Sequence, residues 1–160
     1  MNKALLCLPL LLIGTQALAE QPRLAVIGTD QAQALAAAAV AECQSQGYAV
    51  SAAVVDRSGL LTAFARNEQA GPHTVTSAQG KAFTAASMGR PTGDVAKAIA
   101  DNRELDGLRD MNPNLLFLNG GLPLKAGDEK LGGIGVGGAP GGHLDAACAQ
   151  AAIDKVMGGA

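Results

Sequence analysis

Apolar residues recur at helical spacing through residues 29–46, where Ala32, Ala36, Val40 and Cys43 share one stripe. Thr29 is placed to cap this helix, Asp30 to favour the positive end of its dipole, and Gly47 to stop it in the left-handed conformation. The period then changes. Tyr48 to Val55 is apolar on both faces and carries Val50, Val54 and Val55, which predicts a strand covered on both sides. Asp56-Arg57-Ser58-Gly59 reads as a turn into a second strand, Leu60 to Arg66, so the two form an antiparallel hairpin. Asn67 to His73 is a polar loop containing Gly71-Pro72. Thr74 to Met88 predicts a helix with Val75, Ala78, Ala82, Ala85 and Ala86 inward, ended by Gly89 and Pro91. Thr92 to Asn102 predicts a shorter helix with Val95, Ala98 and Ile99 inward, and Arg103 to Asn114 is irregular. Leu115 to Leu118, Leu122 to Lys125 and Lys130 to Gly137 predict three further strands. Gly138 to Gly142 is a loop, and Leu144 to Met157 a last helix with Leu144, Ala147, Cys148 and Ala151 on one face. Strand runs separated by paired helices predict an α+β fold with a mostly antiparallel sheet.

Composition adds that the apolar residues are small. Among 160 residues, 32 are alanine and 21 glycine, and there is no tryptophan and one tyrosine, Tyr48. Such side chains bury little area each, so backbones must pack closely, and a covalent link or assembly into oligomers would add stability. The formal charge of −2, without a basic patch or stacking aromatics, argues against nucleic-acid binding. One domain is expected at this length.

Residues Met1 to Ala19 have the pattern of a secretory signal peptide. Lys3 supplies the positive end, Ala4 to Ile13 the apolar run, and Ala17-Leu18-Ala19 the small-x-small cleavage site before Glu20. The run is too short for the roughly 20 apolar residues that span a bilayer. The expectation is a secreted, periplasmic protein with a single domain over residues 20–160. Cleavage removes Cys7 and leaves Cys43 and Cys148, which the residues alone allow as a disulfide or as two buried thiols.

Gly133-Ile134-Gly135-Val136-Gly137-Gly138 contains a literal G-x-G-x-x-G, but the glycines alternate within a strand, and one helix follows with no second parallel strand. A dinucleotide fingerprint needs a strand-to-helix turn. Glycine here is read as permitting close approach of a helix, a subunit or a flat ligand. His73 and His143, the two histidines, both sit in glycine-bearing loops just before helices. Imidazole is the commonest side-chain ligand of transition metals and haem iron, while a loop histidine capping a helix is the plain alternative. Two histidines without a further spaced ligand make a poor zinc site. Lys81 stands mid-helix among alanines, as an ordinary snorkelling lysine with its charge in water or as a cation for an acidic ligand group. Met88 and Met111 are soft haem ligands or gap-fillers.

Four segments together carry a resemblance. They are Ser51-Ala52-Ala53-Val54-Val55-Asp56-Arg57-Ser58-Gly59, Ala78-Gln79-Gly80-Lys81-Ala82-Phe83-Thr84-Ala85, Gly120-Gly121-Leu122-Pro123-Leu124 and Gly132-Gly133-Ile134-Gly135-Val136-Gly137-Gly138, with Asp145 opening the last helix. In order and spacing they resemble the GlcG/HbpS family, which includes the C-terminal domain of PduO-type proteins. Gly137 departs from a usual serine and Gly80 from a usual larger residue. The resemblance implies a profilin-like fold, with a five-stranded antiparallel sheet and the first and last helices on one face. Antiparallel neighbours of that kind would bring Cys43 and Cys148 together, so it favours the disulfide. It also implies homo-oligomers, and haem or tetrapyrrole binding in some members.

The expected function is therefore a secreted haem-binding protein rather than a catalyst. His73 is the first candidate for an iron ligand and His143 the second, with Lys81 or Arg66 for a propionate. The alternative is an enzyme or accessory protein for small hydroxy acids or aldehydes, with His73, Lys81 and Asp145 as acid–base or anion-binding groups.

Overall fold

The computed structural model describes residues 24–158, so the expected signal segment lies outside the described residues. In chain order the elements are α1 (Thr29–Ser45), β1 (Ser51–Asp56), β2 (Leu61–Arg66), α2 (His73–Met88), α3 (Thr92–Asp101), a 3-10 stretch (Arg103–Asp110), β3 (Gly121–Ala126), β4 (Glu129–Gly137) and α4 (Gly142–Met157). The sheet order is β2-β1-β4-β3, antiparallel throughout. Among the described residues the sheet has four strands rather than five: Leu115–Leu118 joins no ladder. Phe117 and Leu115 instead pack with Val95 and Ile99 of α3, Leu116 stands beside Gly80 of α2, and Leu118 is exposed, an arrangement a short apolar run adopts just as readily.

The two faces of the sheet carry different helices. Ala52, Val54, Ile134 and Val136 meet α1 and α4 through Leu35, Ala39, Cys148 and Ala149, so the first and last helices do share a face. On the other face Ala53 and Val55 meet Ala78, Ala82 and Ala86 of α2. This double cover explains why β1 is buried almost end to end and reads as apolar without alternation.

The alternating glycines of β4 have a single physical role. Ile134 and Val136 fill the α1/α4 side, while Gly133, Gly135 and Gly137 leave the other side bare. A Cβ on Gly135 would overlap the Ala78 carbonyl oxygen and the Ala82 nitrogen, and one on Gly133 the Ala82 carbonyl oxygen. The glycine surface is thus already covered, by α2, and is not free for a subunit or a ligand. α2 is alanine-rich on its side of the same contact, so helix and strand backbones meet with almost no side chain between them.

Helix ends follow the expected chemistry in part. Gly89 closes α2 in the left-handed region at φ 64°, and Gly47 has φ 84° just beyond α1. Asp56 accepts from the Ser58 and Leu60 amides at 2.8 and 3.0 Å, which shapes the hairpin turn. Thr29 does not cap α1: the N-cap is Gly28, and no side chain bonds there. The inward face of α4 also differs from the sequence expectation. Asp145, Cys148, Ala149 and Ala152 are buried, and Ala147 is exposed. Alanine all around a helix leaves its rotation undetermined, and here tertiary bonds at Asp145 and Cys148 set it.

Cys43 and Cys148 form a disulfide with Cα atoms 5.5 Å apart, joining the end of α1 to the second turn of α4. No described helix is long and apolar enough to cross a membrane.

Candidate functional site

A groove of about 820 Å³ opens between the hairpin turn, the outward side of α2 and the segment 113–118. Leu60 and Leu61 form one wall, Phe83 and Gly80 the floor on α2, and Leu116 and Leu118 the opposite wall. Leu60, Leu61 and Leu118 stand more than half exposed, at 67%, 51% and 56%. Large apolar side chains so open to water, ranged around a concavity, mark a binding surface.

His73 lines this groove at the first turn of α2. Its ring folds back over Gly71, where an added Cβ would lie 2.7 Å from Cε1. Gly71 therefore makes the space the imidazole occupies. Among the described residues neither ring nitrogen takes part in a hydrogen bond or ion pair, so the ring is exposed with its nitrogens uncommitted. Among the described residues it is the one ionisable side chain in the lining; Ser58, Thr76, Ser77, Gln79 and Asn114 supply neutral polar edges.

The other expected site residues are elsewhere. His143, exposed at the first turn of α4, stacks over Gly141 in the same way but does not line the groove. Arg66, at the end of β2, donates to the Ala70 carbonyl oxygen, so its guanidinium braces the loop that leads to His73. Lys81 is not a snorkelling lysine with its charge in water: it is 3% exposed, and its Nζ donates to Asp145 Oδ2 at 2.7 Å and to the Val136 carbonyl oxygen at 2.8 Å. Asp145 Oδ1 accepts from the Ala139 amide at 3.0 Å. The pair ties α2, β4 and α4 together and uses each charge on the other, which leaves Lys81 no free charge for a propionate. Met88 packs beside Val95 and Ile99 in a small core, and Met111 is exposed outside the groove. No group of three or more His, Cys, Asp or Glu among the described residues could hold a metal ion by itself.

Sequence reasoning missed the apolar walls, because Leu60, Leu61, Leu116 and Leu118 read there as ordinary strand residues. The available signal was Gly80, a glycine inside an otherwise strong helix, where a close neighbour is the usual reason.

Comparison with known proteins agrees with this architecture. The family model for haem degrading protein HbpS-like matches residues 27–154, which is most of the chain. The chain belongs to the HbpS-like family. Protein GlcG of Escherichia coli strain K12 is 32% identical over 111 residues, covering 69% of this chain and 81% of GlcG. Among solved HbpS-like structures, a double mutant of Streptomyces reticuli HbpS is 37% identical with a TM-score of 0.80, covering 92% of this chain and 99% of that one. A PduOC:haem complex is 25% identical with a TM-score of 0.76, covering 83% and 96%. The latter relative is described with haem bound, and the family description names haem.

Proposed function

We propose that this protein binds haem or a related tetrapyrrole in the groove, with His73 as the iron ligand. The observation that carries the reading is one uncommitted, exposed imidazole at the edge of an open apolar slot. The residues suit such a group. A tetrapyrrole face needs apolar cover, which Leu60, Leu61, Leu116 and Leu118 offer, and its iron takes neutral imidazole. Among the described residues no carboxylate lines the groove to repel the propionates of such a group. When bound, the haem itself would supply any redox chemistry. This chain's residues would bind it, orient it by one ligand and cover its apolar surface from water.

The groove is larger than a small hydroxy acid or aldehyde requires, and of the polar groups that reading needs, His73 alone lines it. Lys81 and Asp145 neutralise each other in the core. Binding is therefore favoured over acid–base catalysis.

The test is a haem titration of the purified chain. A saturable Soret shift is expected for wild type, abolished or strongly weakened by His73→Ala and retained by His143→Ala. Absence of a saturable shift in wild type would sink the reading, as would its survival in both variants.

The proposal extends to location and assembly. Export with cleavage before Glu20 suits a protein whose two remaining cysteines are bonded, because disulfides persist in oxidising compartments. N-terminal sequencing of the exported protein checks it. The exposed apolar side chains Leu60, Leu61, Phe64 and Leu118 suit a homo-oligomer in which a second copy covers part of this surface. Light scattering in solution decides between that and a monomer.

A further inference from the structure

The segment 113–118 forms a wall of the groove without belonging to the sheet. Side-chain hydroxyls hold its backbone where a strand ladder would otherwise do so. The Thr84 hydroxyl, fully buried on α2, donates to the Gly80 carbonyl oxygen at 2.7 Å and accepts from the Leu116 amide at 2.7 Å. The Thr92 hydroxyl, fully buried at the start of α3, donates to the Leu118 carbonyl oxygen at 2.6 Å and accepts from the Gly121 amide at 2.9 Å. Between these two anchors Phe117 turns the other way, into a small core with Val95 and Ile99. Leu116 and Leu118 are thereby left to line the groove.

Gly80 completes the seat. A Cβ there would lie 2.9 Å from the Leu116 Cβ, so only glycine lets the wall come this close to α2. The helix carries a glycine at an interior position that costs about 1 kcal/mol relative to alanine. Gly80 and Thr84 are one helical turn apart and act on the same residue, Leu116.

We infer that Thr84, seated one turn beyond Gly80, is a positioning residue for the groove: it fixes the wall at Leu116 and so sets the width open to a flat ligand. The ligand half of this inference rests on the haem reading above; the wall half does not.

Thr84→Val keeps the side chain's shape and removes both hydrogen bonds, and Thr84→Ser restores the hydroxyl. Two measurements are made on wild type and both variants as full chains. Amide hydrogen exchange at Leu116, read in protein without haem, reports the anchor. Haem titration reports its consequence. In Thr84→Val the Leu116 amide is expected to exchange roughly tenfold faster, since one lost buried hydrogen bond is worth about that factor. Haem affinity is expected to fall by up to the same factor, because a wall populated in its competent position for a smaller fraction of time lowers apparent affinity by that fraction. Thr84→Ser should return both toward wild type, which a general loss of stability would not do. Unchanged exchange at Leu116 in Thr84→Val overturns the anchor. Faster exchange with unchanged haem affinity overturns the claim that the anchor sets the groove. Wild type that binds no haem overturns the haem reading and leaves exchange to decide the anchor alone.

Discussion

The buried Lys81–Asp145 pair gives the sharpest stability prediction. Both side chains are almost wholly withdrawn from water, at 3% and 4% exposed, and their charged atoms are 2.7 Å apart. At that separation the attraction is about 6 kcal/mol for an effective dielectric near 20. Desolvation costs several kcal/mol per ion, so against an apolar pair of similar shape the net contribution is near zero. Removing one partner is different, because the other charge stays buried and uncompensated, at a cost of about 3–5 kcal/mol. Asp145→Asn keeps an acceptor for the Ala139 amide and removes only the charge; Lys81→Met removes the other. Each single variant should lose about 3–5 kcal/mol in urea unfolding, or roughly 10–15 °C in Tm for a domain of this size. The double variant Lys81→Met/Asp145→Asn should be less destabilised than the two losses added, by about 2 kcal/mol or more. A double-mutant cycle in which the singles each cost under about 1 kcal/mol, or in which they simply add, would refute the claim that the two charges stabilise one another across α2 and α4.

Other consequences are checked as simply. The Cys43–Cys148 bond closes a sequence separation of 105 residues, for which chain entropy predicts about 4–5 kcal/mol; reduction or Cys148→Ala should lower Tm accordingly, and an intact mass corresponding to two free thiols would reject the bond. Gly135→Ala places a methyl into the Ala78 carbonyl oxygen and the Ala82 nitrogen, so it should destabilise by several kcal/mol or prevent folding, whereas Gly127→Ala, in an open turn at φ 57°, should cost only about 1 kcal/mol; soluble yield and Tm compare them. The Lys97–Asp101 pair joins side chains 75% and 61% exposed, so Lys97→Ala should leave Tm nearly unchanged at physiological salt.

The amount of fold legible in the sequence varied by element for physical reasons. β1 and the hairpin turn were legible because their signals are local: β-branched residues on both faces, and an Asp placed to accept from amides two and four residues on. The run Leu115–Leu118 reads as a strand because four apolar residues are equally at home in a strand and in an irregular segment that buries only some of them, here Phe117. Its true partners, Thr84 and Thr92, lie 32 and 26 residues away in sequence, beyond the reach of local pattern. The inward face of α4 was misjudged because an alanine-rich helix has no distinctive stripe, and the buried charge of Asp145 contradicts the rule that acids face water. Lys81 was open to opposite readings for the same reason, since a lysine is buried only where a partner from another element meets it.

By itself the sequence determined the order of the helices and of the four strands that pair, and the glycine alternation of β4, because these follow from local propensity and side-chain size. It also singled out His73 and His143 as the available imidazoles. Only the tertiary structure decided that α2 lies on the bare glycine face, that Lys81 and Asp145 consume each other's charge, and that His73 rather than His143 stands in a groove. Those outcomes depend on contacts between residues far apart in the chain. Burial and pairing are properties of the packed molecule, and no residue's own chemistry states which neighbour it will meet.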